Sequence, residues 1–251
     1  MLDKPITLSL TTATRVVTGE RLGKLHITLE PEALWYPPDE DIRATTEVRT
    51  ELAALGALDR RGRADADLVA VLALLCTPRT EFYGWMAMDG RTTGALVAAS
   101  GRTAVLATQD TGTLTITPAP ADRPAETLLR HLPELRPARG PVITAFAEDI
   151  QAAAGGVNRT AAGVRQAPPV VRELQRISGL PTTGGGQLYT ALRHGNGQRH
   201  STPQPIRYVD TVQGRYQNVT LPRGQVLVGP ADRAALAGRL YDAHRALPRE
   251  S

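Results

Sequence analysis

The hydrophobic positions in the first third of the chain recur with the spacing of helices. Between 39 and 55 the apolar residues share one helical face, acids come near the start and Gly56 follows the end, which are helix start and stop signals. Residues 64–78 are apolar on nearly every side behind Asp65, which can serve as an N-cap. This pattern predicts a buried helix closed by Pro78. The short run 24–31 before them is predicted to be a strand.

From residue 80 the hydrophobic period changes to that of strands. Four β-prone runs are separated by short links of Gly and Asp, which tolerate positive φ and favour tight hairpins. The runs cover 80–88, 92–100, 103–109 and 113–119. They predict a four-stranded antiparallel meander, and the leucine spacing in 121–135 predicts a helix after it.

The second half of the chain repeats this order. After a proline-led helix near 168–180, strand-like runs and hairpin links lead again to a final helix, and the tripeptide ADR recurs at 121–123 and 231–233. Aligning the halves places Tyr83 on Tyr189. Self-similarity of this kind indicates a pseudo-twofold arrangement. The prediction is an α+β fold in which a duplicated antiparallel meander forms a central sheet flanked by helical bundles.

We therefore expect a single domain over 1–251, with pseudo-repeats at about 38–135 and 146–248. The middle of the chain, 136–167, overlaps the start of the second repeat and is rich in small residues. The stretch "AAGGVNRTAAGVRQAPP" is interpreted as a mobile loop, next to one candidate helix near 146–154.

Charge and composition narrow the classes of function. The net charge is +4, but the basic residues are scattered among acids and only 4% of residues are aromatic, so nucleic-acid binding is not favoured. The N-terminus has no signal-peptide pattern and no stretch is long enough to span a membrane. We expect a cytoplasmic protein without membrane insertion. The single Cys76 lies in an apolar run and is interpreted as a buried hydrophobe.

No catalytic or metal-binding constellation is apparent in the sequence. The five histidines are dispersed, which does not favour a metal site, and no serine has a recognisable base partner. The run 182–187, "TTGGGQ", has the glycines of a phosphate-binding loop, but a strand-like run follows it instead of a helix, so a flexible entry to a strand is the simpler interpretation. The expectation is a protein that is not an enzyme and needs no cofactor.

Asp210 and Arg215 lie close together between two β-prone runs, as the residues of an active site would. The alternative is a hairpin bend over 210–214, whose counterpart in the first half contains Asp110. Because Asp and Gly recur at both bends, the turn interpretation is favoured.

Five stretches follow one another along the chain: "ELAALGALDRRGRADADLVAVLALLCTPRTEFYGWM", "GALVAAS", "GGGQLYTALR", "IRYVDTVQGRY" and "GPADR". In their order and spacing, over about 10–247, they resemble the EspG family of ESX secretion-associated proteins of actinobacteria. The resemblance implies a cytosolic chaperone of type VII secretion with a pseudo-symmetric α+β fold. It also implies binding to the helical tip of the PPE protein in a PE–PPE heterodimer, or to another helical-hairpin ESX substrate. A generic interaction or regulatory domain is the alternative. The oligomeric state is left open.

The alternation of strand 187–193 suggests a partner-binding surface. Leu188 and Leu192 are expected to face helices, which places the other side chains on an open face of the sheet. Candidate partner-binding residues there are Gln187, Tyr189 and Arg193, with Tyr83 and Trp85 as their first-half equivalents. The alternative is that Tyr189 and Trp85 are core aromatics. The mobile loop in the middle of the chain is a candidate to close over the partner.

Overall fold

The computed structural model describes residues 4–30, 38–148, 159–160, 163–164 and 169–249. The helices whose full ranges lie within these residues are α1 (Leu10–Gly19), α2 (Pro38–Ala54), α3 (Ala66–Cys76), α4 (Pro124–Leu129), α5 (Pro169–Ser178) and α6 (Arg233–Arg245). The strands of the first half are β1 (Ile6–Ser9), β2 (Thr80–Met88), β3 (Arg91–Ser100), β4 (Thr103–Asp110) and β5 (Thr113–Pro118). Those that follow are β6 (Ile143–Phe146), β7 (Arg159–Thr160), β8 (Gly163–Val164), β9 (Thr182–Arg193), β10 (Arg199–Ser201), β11 (Ile206–Thr211), β12 (Gly214–Thr220) and β13 (Gln225–Pro230).

One large antiparallel sheet organises the molecule. Its strand order is β1-β5-β4-β3-β2-β9-β11-β12-β13-β6, with β10 paired to β9. At its middle, β2 pairs with β9, and Tyr83 lies directly opposite Tyr189. Strands β7 and β8 form a separate two-stranded hairpin. The protein is therefore an α+β fold built on a single extended sheet.

Helices pack on both faces of this sheet. On the face that carries Tyr83 and Tyr189, which we call the aromatic face, buried side chains of α1, α2 and α3 cover the first half of the sheet and α5 packs on the second half. On the opposite face, α4 and α6 pack together over the middle strands, and Leu188 is fully buried among them. Leu192 is half-buried.

Most of the periodicity-based predictions are confirmed. Helix α2 covers the predicted 39–55 almost completely, and α3 begins where Asp65 accepts a hydrogen bond from the backbone of Leu68 at 2.7 Å. The four predicted strands of the first meander are β2 to β5. Their hairpins use positive φ at Asp89 and Gly90 in the link between β2 and β3, as a tight antiparallel turn requires.

The predicted strand over 24–31 is wrong. Leu29 donates a backbone hydrogen bond to the carbonyl of His26 at 2.7 Å, so the chain turns there. This turn packs on the aromatic face above Gly94, where an added Cβ would lie only 2.0 Å from the carbonyl oxygen of Thr28. Leu25 and Leu29 are buried at this turn, whereas Ile27 between them is 58% exposed, so the apolar alternation of the segment does not reflect strand pairing.

Two helix predictions need correction in detail. Helix α4 is shorter than the predicted 121–135, because Pro124 stands in its first turn and Pro133 disfavours helical backbone at the residue before it. In α5, the spacing of Val170, Val171, Leu174 and Ile177 predicts one inward-facing apolar side, but Val170 is 40% exposed. The candidate helix near 146–154 and the candidate mobile loop lie largely outside the described residues.

The segment with Asp210 and Arg215 is a hairpin, but these two residues belong to its strands and lie directly opposite each other. The bend itself is the link Val212–Gln213. Both charged side chains are buried and form a two-bond ion pair, with Arg215 Nε 2.6 Å from Asp210 Oδ1 and Nη2 2.8 Å from Oδ2. The pair is a structural cross-strand contact.

In the described part of the chain, no helix is both long and apolar enough to cross a membrane.

Candidate binding surface on the aromatic face

The five candidate residues lie together on the aromatic face. Alternation along β2 and β9 points Tyr83, Trp85, Gln187, Tyr189 and Arg193 to the same side of the sheet. Tyr83 is almost completely buried, Trp85 and Tyr189 are half-buried at the edge of the first-half core, and Gln187 is exposed. The five side chains thus share one side of the sheet, but Tyr83 belongs to the first-half core and does not lie on an open surface.

Three of these side chains form an aromatic cluster at the centre of the sheet. The rings of Tyr83 and Tyr189 stack with their planes 10° apart and their centroids 5.3 Å apart. Trp85 meets Tyr189 edge-on at 6.0 Å, and His26 from the packed turn meets Tyr83 edge-on at 4.5 Å. The Tyr189 hydroxyl donates to Gln187 Oε1 at 2.9 Å. Edge-on and stacked contacts of this kind fix ring positions and give a rigid apolar surface.

A buried carboxylate lies beside this cluster. Glu81 is fully buried and accepts hydrogen bonds from Arg199 Nε at 2.9 Å and Arg199 Nη2 at 2.6 Å. His26 Nε2 lies 3.2 Å from Glu81 Oε2, and Arg193 Nη2 lies 3.8 Å from Glu81 Oε1. Burial acts to raise the pKa of Glu81, but the hydrogen bonds and positive charges of His26 and Arg199 bring it below its ordinary value.

This charge network fixes the position of Tyr83 and Arg199. Arg199 Nη2 also donates to the Tyr83 hydroxyl at 3.2 Å, and its guanidinium lies 5.5 Å from the centre of the Tyr83 ring. Burial raises the pKa of Tyr83, so its hydroxyl stays protonated at neutral pH. A depression of about 460 Å³ opens between this network and the turn that contains Lys24 and His26.

A larger groove runs along the aromatic face from Trp85 to α5, with a volume of about 750 Å³. Its floor consists of two rows of side chains that are paired across adjacent strands. The first row is Trp85, Gln187, Arg207, Asn218 and Val228, and the second row is Thr92, Ala87, Gly185, Val209 and Tyr216. Leu174 and Ile177 of α5 form its wall.

The second row makes the groove deep because its residues in β2 and β9 are small. Ala87 lies opposite Gly185, which has no side chain to fill the space above the sheet. A Cβ at Gly185 would lie 3.0 Å from the carbonyl oxygen of Tyr208, so the glycine also allows the close approach of β11. The groove can accept a large apolar side chain at this point.

Sequence reasoning missed the residues that complete this surface. Glu81, Arg199 and His26 come together only because β10 pairs with β9 and the 25–29 turn packs on the sheet. Arg207 and Val209 were read as part of a hairpin, and only the β9–β11 register places them next to Gln187 and Gly185. The alternation in β11, with Ile206 and Tyr208 buried and Arg207 exposed, is the signal that could have identified Arg207.

The described residues hold neither a metal-ligand cluster nor a reactive thiol. Among them, no three His, Cys, Asp or Glu side chains are grouped so that they could hold a metal ion. Cys76 is buried at the edge of the aromatic-face core, and burial raises the pKa of its thiol to about 11. The thiol therefore stays protonated and is a poor nucleophile at neutral pH.

Comparison with known proteins agrees with the resemblance seen in the sequence. No curated protein matches the chain. Among the solved structures that match is that of the Mycobacterium tuberculosis type VII secretion system chaperone EspG5 in complex with the PE25–PPE41 dimer. The similarity has a TM-score of 0.71 at 12% sequence identity and covers 98% of each chain, so it shows a shared fold. A model of the EspG family matches residues 9–242. The chain belongs to the EspG family.

Proposed function

We propose that this protein is a type VII secretion chaperone that binds the helical tip of a PPE protein, or of another helical-hairpin ESX substrate, in the groove of the aromatic face. The observation that carries the proposal is the groove between Trp85 and α5, which no described residue fills, in a chain of this family. The structural relative EspG5 is a chaperone in complex with a PE25–PPE41 dimer, which supports the choice of partner.

The chemistry of the groove suits an apolar helix tip. Val209, Leu174 and Ile177 provide apolar walls, and the space above Ala87 and Gly185 can hold one large anchoring side chain. Binding energy in protein interfaces is concentrated in a few such buried anchors surrounded by a polar rim. Tyr189 and Arg193 belong to the rim in this proposal, and Gln187 is a polar position on the floor beside them. Trp85 and Tyr83 give the groove a rigid edge.

We further propose that the protein acts without catalysis, in the cytoplasm. Sheltering the apolar tip of a client and releasing it at the secretion machinery requires reversible contact and no covalent step. The surface consists of aromatic, amide and guanidinium groups around a carboxylate that is already paired, which supports binding rather than chemistry.

We also propose that the fold is a duplication, with repeats at about 38–135 and 146–248. The strand order supports this, because β5-β4-β3-β2 on one side of the central junction corresponds to β13-β12-β11-β9 on the other. Tyr83 and Tyr189, which the repeat alignment matches, are direct partners at the junction. Superposition of 80–129 on 182–245 tests the proposal. A fit no better than that of unrelated meanders would contradict it.

Groove filling tests the function directly. Ala87 is exposed, lines the groove, and can be replaced without removing a core contact. We expect the variant Ala87→Trp to fold normally and to bind a helical-hairpin client about tenfold or more weakly, because the indole occupies the anchor space. The measurement is co-expression with each client encoded near the gene, followed by size exclusion and titration.

The matched control is Met88→Trp. Met88 is the next residue of β2, is 46% exposed, and points to the opposite face of the sheet. It should leave the complex intact. If Ala87→Trp binds each client as tightly as the unmodified protein, the groove is not the binding site. If the unmodified protein binds no helical-hairpin client, the chaperone proposal fails.

A further inference from the structure

The charge of the aromatic face is one-sided. The side chains that line the groove and the adjacent depression include four cations, namely Lys24, Arg193, Arg199 and Arg207, and among the described lining residues there is no Asp or Glu. Arg199 is neutralised by Glu81 beneath the surface, and Arg193 lies within 3.8 Å of the same carboxylate. These two arginines therefore serve the internal network.

Arg207 differs from them. It is exposed at the middle of the groove floor, and no hydrogen bond or ion pair joins its side chain to another described residue. An arginine presents five N–H donors in a planar fork that matches a carboxylate with two parallel hydrogen bonds. An uncompensated guanidinium at the centre of a binding groove calls for an anionic partner.

The neighbours of Arg207 also favour an anionic partner. Its direct register partners are Gln187 on β9 and Asn218 on β12, so three polar side chains stand in a row at the strand spacing of about 4.8 Å. Gln187 Oε1 already accepts from the Tyr189 hydroxyl, which leaves the Gln187 amide nitrogen to donate into the groove. These three side chains therefore offer mainly hydrogen-bond donors, next to the small or apolar residues Ala87, Gly185 and Val209 of the second row.

We propose that this row selects clients whose helical tip carries an acidic side chain next to its apolar anchor. Arg207 pairs with the client carboxylate, Gln187 and Asn218 donate to its remaining oxygen lone pairs, and the apolar anchor enters the space above Ala87 and Gly185. The inference rests on the proposed function and adds the chemical class of the client. It predicts a preference for acidic over neutral or basic tips of the same shape, because a basic tip would meet Arg207 without compensation.

Three designed antiparallel helical hairpins test this. They are identical, carry one leucine anchor at the tip, and differ only in having Glu, Gln or Lys beside it. We expect the Glu hairpin to bind the full chain about tenfold more tightly than the Gln hairpin at low salt, with the Lys hairpin weakest. The advantage of Glu should shrink as the salt concentration rises toward 0.5 M, through screening.

Variants of Arg207 test whether its guanidinium is responsible for the preference for the Glu hairpin. Arg207→Gln should remove the preference for Glu, while Arg207→Lys should keep part of it because the charge remains and the two-bond geometry is lost. The control is Arg102→Gln, which removes the same charge from the exposed β3–β4 turn, at the other end of β3 from Thr92. It should leave the preference unchanged.

The outcomes separate this inference from the chaperone proposal. Equal binding of the three hairpins, no binding of the Glu hairpin at millimolar concentration, or a preference that survives Arg207→Gln would each overturn the inference. Natural clients that bind without any dependence on Arg207 would also overturn it while leaving the chaperone proposal intact. An Arg207-dependent preference for Glu, with no natural client bound, would support the acidic-tip site and refute the chaperone role.

Discussion

The effect of a charged residue on stability depends on whether its side chain is buried. Arg215 is completely buried, pairs with Asp210 through two hydrogen bonds, and donates to the carbonyl oxygen of Pro133 at 3.1 Å. Removal of one member of such a pair leaves an uncompensated charge in a low-dielectric interior. We expect Asp210→Asn to lower the free energy of unfolding by about 3–5 kcal/mol, measured by urea denaturation.

Asp110 provides the matched control for this change. It is the residue that the repeat alignment pairs with Asp210, but it is half-exposed and its register partner is Thr113 rather than an arginine. Asp110→Asn should change the free energy of unfolding by less than about 0.5 kcal/mol. Equal effects at the two positions would show that the burial of Arg215 does not govern the cost.

The same comparison shows the limit of sequence reasoning at the residue scale. The Asp and Gly signature predicted both bends of the sheet, but it carries no information on what packs above them. Burial of Asp210 and Arg215 depends on the chain near Pro133, which is distant in sequence. For the candidate site, alternation placed Gln187 and Tyr189 on one face. The network around Glu81 could not be predicted, because it depends on which elements meet there.

At the scale of elements, one side chain joins the N-terminal helix to the second. Glu51 of α2 accepts hydrogen bonds from the backbone and hydroxyl of Ser9 at 2.5 and 2.7 Å, and from the Thr12 hydroxyl at 2.5 Å. Ser9 is also the N-cap of α1. Burial acts to raise the pKa of Glu51, but the hydrogen bonds from Thr12 and Ser9 bring it below its ordinary value of 4.5.

Because the pKa of Glu51 is lowered in the folded state, the direction in which pH changes its contribution to stability can be predicted. A carboxyl whose pKa is lower in the folded state stabilises the fold fully above its unfolded pKa, and loses that contribution as the pH falls through the folded value. We expect Glu51→Gln to lower the free energy of unfolding at pH 7, and the difference from the unmodified protein to diminish below about pH 4. Urea denaturation at pH 7, 5 and 3.5 measures both parts.

Glu47 serves as the control for Glu51. It lies one turn earlier on α2 and is exposed. Glu47→Gln should have little effect at any of these pH values. A loss of stability from Glu51→Gln that persists unchanged at pH 3.5 would mean that the Glu51 contacts do not depend on its charge.

The elements that sequence periodicity predicted are those with long, regular patterns. Helices α2 and α3 and strands β2 to β5 have them. Strand β1 has only four residues, at the edge of the sheet, and its pairing with β5 is the long-range contact that makes it a strand. Residues 24–30 show the reverse case, in which an alternating run forms a turn that packs on the sheet, with Leu25 and Leu29 buried and Ile27 58% exposed.

At the scale of the whole molecule, the fold depends on the β2–β9 junction, which joins the strands of 80–118 to those of 182–230. The buried cluster on the opposite face crosses this junction, since Phe82 and Ala95 pack with Leu188 and Leu236 there. A core shared in this way couples the two sides of the sheet. The described parts of the chain should therefore unfold together, in one transition.

Gly84 lies in the middle of that junction, and its replacement tests the coupling. An added Cβ would lie 2.3 Å from the carbonyl oxygen of Gln187, so Gly84→Ala must push β2 and β9 apart. We expect it to lower the free energy of unfolding by about 1–3 kcal/mol. Transitions followed by tryptophan fluorescence and by far-ultraviolet circular dichroism should still coincide, because the damage falls on a core that both sides share.

Gly238 gives the opposite expectation for the same substitution. It lies within α6 with open space around its Cβ position, so Gly238→Ala should raise the free energy of unfolding by about 0.5–1 kcal/mol, because alanine lowers the entropy of the unfolded chain.

Two separate transitions in Gly84→Ala would show that the sides of the sheet fold independently. The groove would then lie between two units that can move apart, since Trp85 and Ala87 belong to one side and Gln187 and Val209 to the other. A single transition means that the core beneath the groove holds it rigid. A rigid groove can bind a client without the free-energy cost of first ordering the surface.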